Sequence, residues 1–200
     1  MTAARPSKRV LILGRPGAGK GTQSSRLSEA LDVMHISTGE LLRDAIVRDG
    51  PVGRRCLSYV AEGRLVPTLI MANLVRDSLF EGGAIDDGFV LDGFPRTRDQ
   101  LRILDELLGR RELAAALELD VSQSVAFQRL VARCRTDDEP DIVVRRLREF
   151  DDDTRPMISR LDGRGLLISI DGSREEDDVT ADVVASVMSA RPAARRLSIV

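Results

Sequence analysis

The chain has 200 residues, of which 42% are hydrophobic and 31% charged, and its formal net charge is −2. These proportions are typical of a soluble globular domain, and they argue against a disordered chain, a membrane-spanning chain and one that binds nucleic acid through a large positive charge. The cations are unevenly divided, because 28 are arginines and only Lys8 and Lys20 are lysines. Cys56 and Cys134 show no CxxC spacing and are too few for a four-cysteine zinc site, so we expect a reducing, cytoplasmic setting and no structural zinc.

Short apolar runs alternate with helical patterns along the chain, which predicts βαβ units and an α/β fold on a parallel sheet. The patterns favour strands at 9–13, 33–37, 89–92, 115–120 and 166–170. They favour helices near 22–31, 39–48, 54–62, 68–80, 101–108, 122–130, 142–161 and 179–188. We expect Pro156 to bend or break the long helix at 142–161, and residues 191–200 to form a poorly ordered tail.

A glycine-rich segment, GRPGAGKGTQ at 14–23, lies between the first predicted strand and the first predicted helix. Glycines let successive backbone N–H groups point at phosphate oxygens, and the positive end of the following helix adds to the attraction. Lys20 supplies a compact cation for the same phosphates. The pattern GxxxxGK[ST] holds as far as Lys20, but Gly21 follows it and the hydroxyl residue Thr22 comes one position late. The segment predicts a nucleotide-phosphate loop and disfavours a glycine-rich turn without a ligand.

Three further blocks follow this loop: ISTGELLR at 36–43, GRLVP at 63–67 and LDGFPRT at 91–97. With the loop and the arginine-rich stretch 129–146, they make residues 10–188 similar to the P-loop nucleoside monophosphate kinases, and to the adenylate kinase family in particular. The resemblance implies a P-loop NTPase three-layer α/β sandwich whose five-stranded parallel sheet has the order 2-3-1-4-5. It also implies one domain over 1–200, with a monophosphate-binding segment at 37–66 and a very short lid at 132–142.

The resemblance implies reversible, Mg²⁺-dependent, in-line transfer of the terminal phosphoryl group of ATP to AMP, which gives two ADP. A phosphate acceptor is already nucleophilic, so charge neutralisation matters more than a general base, and we interpret His35 as a packing residue or a donor behind the site. The implied catalytic residues are Lys20, Arg96, Arg133, Arg135 and Arg146. The implied ATP-binding residues are Gly17, Ala18, Gly19, Lys20, Gly21, Thr22, Arg129, Arg133 and Arg174. Asp92 is expected to orient Mg²⁺ through water, and Asp137 and Asp138 to hold the lid or Arg135.

The same resemblance implies which residues bind the acceptor nucleotide. The implied AMP-binding residues are Thr38, Arg43, Arg64, Leu65, Val66, Gly93, Phe94, Pro95, Arg96, Gln100, Arg135 and Arg146. Pyrimidine monophosphate kinases usually have Ala and Asn where this chain has Thr38 and Gln100, so AMP is favoured over UMP and CMP. Two alternatives stay open: a kinase of the same fold with another acceptor, and an inactive nucleotide-binding module. No nucleic acid or membrane partner is expected, and relatives of this size are usually monomers.

Arg15 departs from the family pattern, since relatives usually have a small or apolar residue at this point of the phosphate loop. Two positions are open to its side chain, one against a phosphate and one facing solvent. Arg145 and Arg148 flank Arg146 and are interpreted as ordinary residues of the helix surface.

Overall fold

A computed structural model describes residues 8–133 and 138–189. Its five strands form one parallel sheet in the order β2-β3-β1-β4-β5. The strands are Arg9–Gly14 (β1), Met34–Ser37 (β2), Phe89–Asp92 (β3), Ala115–Asp120 (β4) and Leu167–Asp171 (β5). The predicted α/β fold and strand order are confirmed, and each predicted strand matches an observed one to within one residue at either end.

Helices connect the strands and cover both faces of the sheet. They are Lys20–Leu31 (α1), Thr38–Val47 (α2), Pro51–Ala61 (α3), Thr68–Glu81 (α4), Ala84–Asp87 (α5), Arg98–Leu108 (α6), Gln123–Arg133 (α7), Pro140–Glu149 (α8), Arg155–Gly163 (α9) and Glu176–Ser189 (α10). The four-residue α5 was not predicted, because it is too short to show a helical period. No helix within residues 8–133 and 138–189 is long and apolar enough to cross a membrane.

Strand β1 lies in the middle of the sheet, and its side chains alternate between two hydrophobic cores. Val10 and Ile12 pack with α1, α7 and α10 on one face, whereas Leu11 and Leu13 pack with α4, α6 and α9 on the other. All four side chains are at most 2% exposed. Each is worth roughly 1.5–3 kcal/mol of burial free energy, which fixes the register of the central strand. The carboxyl ends of β1 and β3 therefore meet at one edge of the sheet, where α/β proteins bind ligands.

The predicted long helix is interrupted just before Pro156, as expected. Helix α8 ends at Glu149, residues Phe150–Thr154 form one π-helical turn, and α9 begins at Arg155. Pro156 has no N–H to bond back along the helix, so the preceding turn widens, and the Arg155 N–H bonds to the carbonyl of Phe150, five residues earlier. This π-turn lies directly after the arginine-rich helix α8.

Candidate active site

The phosphate loop joins the end of β1 to the start of α1. Gly17 has φ 84°, and a Cβ there would lie 2.5 Å from the carbonyl oxygen of Ala126 in α7, so only glycine lets the loop pack this closely. Gly19 is the N-terminal capping residue of α1, and the first N–H groups of that helix have no partners within it. The loop thus presents backbone donors and the positive helix end at the position where the sequence predicts phosphates.

Lys20 is the first residue of α1, and its ammonium is buried against the loop. Nζ donates to the carbonyl oxygens of Gly14 at 2.9 Å and of Arg15 at 2.8 Å. Burial, opposed by the negative charge of Asp92 and assisted by the positive charges of Arg96, Arg146 and Arg133, lowers the pKa of Lys20 to about 8. Four cations thus share one region of the sheet edge, and a polyanion is the ligand that would relieve their repulsion.

A cleft of about 420 Å³ lies beside the loop, between the ends of β1 and β3, the α2–α3 segment and α8. Nine of the twelve residues assigned to AMP line it: Arg43, Arg64, Leu65, Val66, Gly93, Pro95, Arg96, Gln100 and Arg146. Thr38 and Phe94 lie directly behind the wall and are 1% and 0% exposed. Arg135 is outside the residues that the structure describes. Nine of the residues that the resemblance assigns to one substrate therefore border one cavity.

Arg96 is held at the cleft by its own turn. Its Nε donates to the carbonyl of Gly93 at 2.8 Å, and its backbone N–H donates to Gln100 Oε1 at 2.8 Å. Gly93 has φ 78°, and a Cβ there would lie 2.6 Å from Thr38 Oγ1 and 3.0 Å from a terminal nitrogen of Arg96. Burial, with help from Arg146, lowers the pKa of Arg96 from its usual value. The guanidinium is thus oriented before any ligand arrives.

The two residues assigned to base recognition also bond to the protein. The Thr38 hydroxyl donates to the carbonyl of Asp92 at 3.0 Å, which leaves its oxygen lone pairs to accept a hydrogen bond. Because the Arg96 N–H needs an acceptor, the Gln100 amide is oriented with Oε1 on the turn. Its NH₂ group is then the donor that Gln100 can offer to a base in the cleft.

Asp138 links two of the predicted catalytic arginines. Its carboxylate is 0% exposed and accepts two hydrogen bonds from Arg133, at 2.7 and 2.8 Å. The same carboxylate accepts a third from Arg146 at 3.1 Å. Bidentate pairing of this kind fixes the plane of a guanidinium. Asp138 therefore holds the C-terminal end of α7 against α8.

The donor-side residues lie around the carboxyl ends of β4 and β5. Arg129 donates to the carbonyl of Gly172 at 2.8 Å, which ties α7 to the turn after β5. The Arg174 side chain is exposed and forms an ion pair with Asp182 of α10. Gln23 bonds to Glu176 and Thr180 of α10, so the helix that follows the phosphate loop is joined to the helix that follows this turn.

Asp92 is the residue that the sequence assigns to Mg²⁺, through water, and Thr22 carries the hydroxyl that follows Lys20 in the phosphate loop. Asp92 Oδ2 lies 3.8 Å from the position of a Cβ on Gly21, so its carboxylate faces the first turn of α1. Among residues 8–133 and 138–189, no cluster of three or more His, Cys, Asp or Glu side chains is arranged to hold a metal. One carboxylate beside a phosphate loop suits an ion that arrives with a nucleotide and takes its other ligands from phosphate and water.

Sequence reasoning missed one residue and one contact, and left the position of a further residue open. Glu149 lines the cleft and accepts a hydrogen bond from the Leu65 N–H, and burial raises its pKa. The sequence signal for Glu149 is its spacing, because a residue three positions after Arg146 lies on the same face of α8. Arg145 is exposed on the surface of α8, as expected, and the contact that the sequence does not show is its hydrogen bond to the carbonyl of Glu62 at 2.9 Å, which joins α8 to the end of α3. Arg15 contacts neither a phosphate position nor open solvent, because its side chain is 13% exposed and bonds to Val121 and Asp151.

Comparison with known proteins agrees with this geometry. The adenylate kinase family model matches residues 12–165. An adenylate kinase of Corynebacterium urealyticum is 42% identical over 170 residues, which cover 84% of this chain and 93% of that protein. One of Nocardia farcinica is 42% identical over 86% of this chain and 94% of its own length, and adenylate kinase 1 of a Nostoc species is 39% identical over 90% and 99%. The chain therefore belongs to the adenylate kinase family.

Proposed function

We propose that this protein catalyses reversible phosphoryl transfer from ATP to AMP, giving two ADP. The observation that carries the proposal is the shared site: the phosphate loop, Lys20, Arg96 and Arg146 all border one cleft at the carboxyl edge of the sheet. Two polyanions can approach each other only where positive charge is concentrated and fixed in place. We further propose that the protein is a cytoplasmic monomer whose small-molecule partners are ATP, ADP and AMP.

The residues of the site have different roles, which follow from their positions around the cleft. The loop N–H groups and Lys20 hold the donor phosphates, and Arg96 and Arg43 hold the phosphate of AMP from the opposite side. Arg133 and Arg146, oriented by Asp138, bind the oxygens of the group in transfer. Fixed guanidinium planes align donor and acceptor, so most of the barrier is lowered by positioning and electrostatics. No side chain needs to remove a proton, because the acceptor is a phosphate oxygen.

Mg²⁺ bound to ATP would neutralise charge on the terminal phosphates and hold their geometry. Asp92 is the residue that would orient this ion, through water, and the Thr22 hydroxyl lies on the first turn that faces it. Asp92 also places a negative charge near Lys20, which keeps that ammonium protonated despite its burial.

We also propose that residues 37–66 form the monophosphate-binding segment and 132–142 a short lid, which together exclude water from the reacting atoms. The support is positional. Helices α2 and α3 wall one side of the cleft through Leu42 and Val60, and residues 133 and 138 bracket a short connection between α7 and α8.

The acceptor is AMP on this proposal, and a panel of AMP, UMP, CMP and GMP with MgATP tests it. We expect AMP to be used at least about 100-fold more efficiently than UMP or CMP in kcat/KM, because the single pyrimidine ring is smaller than adenine and does not carry its polar edge to the Gln100 NH₂ and the Thr38 oxygen. A coupled assay for ADP provides the measurement. A kcat/KM for UMP comparable to that for AMP would contradict the assignment of AMP as the acceptor. Binding of ATP without turnover of any acceptor would favour the inactive nucleotide-binding module.

The lowered pKa of Lys20 predicts a pH dependence of nucleotide binding. ATP binds the protonated ammonium better, so the Kd of ATP should be nearly constant around pH 7 and rise by up to about tenfold per pH unit above pH 8. Burial of the charged amine also costs stability, and this cost falls as pH rises from about 8 towards the usual 10.5. Calorimetry in buffers of different ionisation enthalpy would detect the proton taken up.

Lys20→Arg is the matched control, because a guanidinium stays charged throughout this range. Its ATP affinity is expected to be lower at pH 7 and nearly independent of pH. The same rise in Kd for both proteins would assign the titration to another group.

A further inference from the structure

Arg15 occupies an unexpected place in the phosphate loop. Its side chain turns away from the cleft and donates to the carbonyl of Val121 at 2.9 Å and to Asp151 at 3.1 Å, while Asp120 lies 3.6 Å away. The guanidinium also lies over the Phe150 ring, 5.2 Å from its centroid. Two hydrogen bonds and one cation–π contact therefore hold the side chain of Arg15, and together they fix the plane of its guanidinium group.

The side chain of Arg15 makes two of these contacts with the π-turn between α8 and α9. Phe150 and Asp151 are its first two residues, and Phe150 is 4% exposed. The same turn follows directly after Arg146 and Glu149, which line the cleft. The Arg15 contacts therefore connect the phosphate loop to the helix that carries the arginine and the carboxylate on the other wall. These residues are separated by more than 100 positions in the sequence.

The backbone of Arg15 is bonded to the reactive side of the loop. Its carbonyl oxygen accepts from Lys20 Nζ at 2.8 Å and from the Ala18 N–H at 3.1 Å. One residue is thus fixed through its side chain to the π-turn and through its carbonyl to the lysine. If the side chain is released, the loop loses its tether to α8, and the position of Lys20 relative to Arg146 is less defined.

We propose that Arg15 is a positioning residue, which sets the distance between the phosphate loop with Lys20 and the arginine-bearing helix α8. The proposal rests on the proposed phosphoryl transfer, since that reaction needs donor and acceptor cations at a fixed spacing. It assigns Arg15 no contact with substrate. Displacements of about 1 Å between reacting groups can cost about 100-fold in rate, so a modest loosening of the loop is sufficient to matter.

The chain contains a matched control for the test. Arg155 donates to the same Asp151 oxygen at 3.0 and 3.2 Å and lies 5.6 Å from the same Phe150 centroid, but it belongs to α9 and, within residues 8–133 and 138–189, donates no hydrogen bond to the phosphate loop. Arg15→Met and Arg155→Met remove the same kind of contact from the same ring and carboxylate. Both are expected to lower Tm, which thermal unfolding would measure, whereas only Arg15→Met should change catalysis.

For Arg15→Met we expect kcat to fall about tenfold and the KM for ATP to rise about threefold, with the KM for AMP within about twofold of wild type. For Arg155→Met we expect all three constants within about twofold. Arg15→Lys keeps the charge and the alkyl stem but lacks the planar guanidinium group. It is the second variant to measure if Arg15→Met does not fold, and we expect its kcat to lie between those of Arg15→Met and the wild type.

Equal kinetic losses in Arg15→Met and Arg155→Met would overturn the proposal, because a purely stabilising contact with Phe150 and Asp151 would act alike from either arginine. Unchanged constants in Arg15→Met and Arg15→Lys would do so as well. Failure of the proposed function looks different: the wild-type protein would not turn over AMP. In that case the ratio of ATP dissociation constants between Arg15→Met and Arg155→Met, measured by calorimetry, still decides whether Arg15 positions the loop.

Discussion

Replacing Lys20 with methionine is expected to lower kcat by at least about 1,000-fold while leaving the protein folded. The Lys20 ammonium is a compact charge held on the phosphate loop. The guanidinium groups of Arg96 and Arg133 are bonded to other parts of the chain, so they cannot take its place. Methionine has nearly the same length and removes a buried charge whose pKa is lowered by desolvation, so we expect Tm to be at least as high as in the wild type. A steady-state assay and a thermal melt are the two measurements.

Lys8→Met is the matched control, since Lys8 is the only other lysine of the chain. Its exposed side chain donates to the carbonyl of Leu31, away from the cleft, and its loss should leave kcat within about twofold. A Lys20→Met protein that retained a tenth of the wild-type rate would show that the arginines alone carry the transfer.

Arg96→Lys is expected to lower kcat/KM for AMP by about 100-fold with little change in the KM for ATP. The Arg96 Nε holds the guanidinium on the carbonyl of Gly93 at the wall of the cleft, and an ammonium cannot keep this bond and also offer a planar pair of donors. Bidentate binding of the acceptor phosphate is then lost although the charge remains. Initial rates at varied AMP and saturating ATP would measure the effect.

Arg98→Lys provides the comparison, because Arg98 is exposed two residues further on, at the start of α6. We expect it to leave both constants within about twofold of wild type. Equal efficiency of Arg96→Lys and the wild type with AMP would show that charge, and not the planar fork, is what the acceptor phosphate requires.

The parts of the fold and site that sequence predicts are those governed by local patterns. The strand–loop–helix order around Lys20 requires neighbours in the chain only, and a fully apolar run such as 10–13 suits just the middle of a parallel sheet. The family resemblance assigns Arg96 and Gln100 to one site, and the short segment between them, which ends in the first turn of α6, brings both to the cleft.

The contacts that the sequence did not reveal join residues far apart in the chain. Arg15 meets Asp151 across 136 positions, and Arg145 meets Glu62 across 83. Among 28 arginines, nothing local distinguishes a side chain that anchors a loop from one that faces solvent. The burial of Asp138 is similar, because an acidic residue in a charged stretch normally predicts exposure, and two guanidinium partners reverse that preference.

The enclosed carboxylate of Asp138 also bears on how quickly products depart. Its negative charge offsets part of the positive charge of Arg133 and Arg146, so a nucleotide phosphate meets a partly neutralised pair of cations. The phosphate therefore gains less net free energy on binding than it would from two uncompensated guanidinium groups. When a product leaves, the same carboxylate limits the repulsion between the two cations. We therefore expect a shorter residence time of the product than two uncompensated arginines would give.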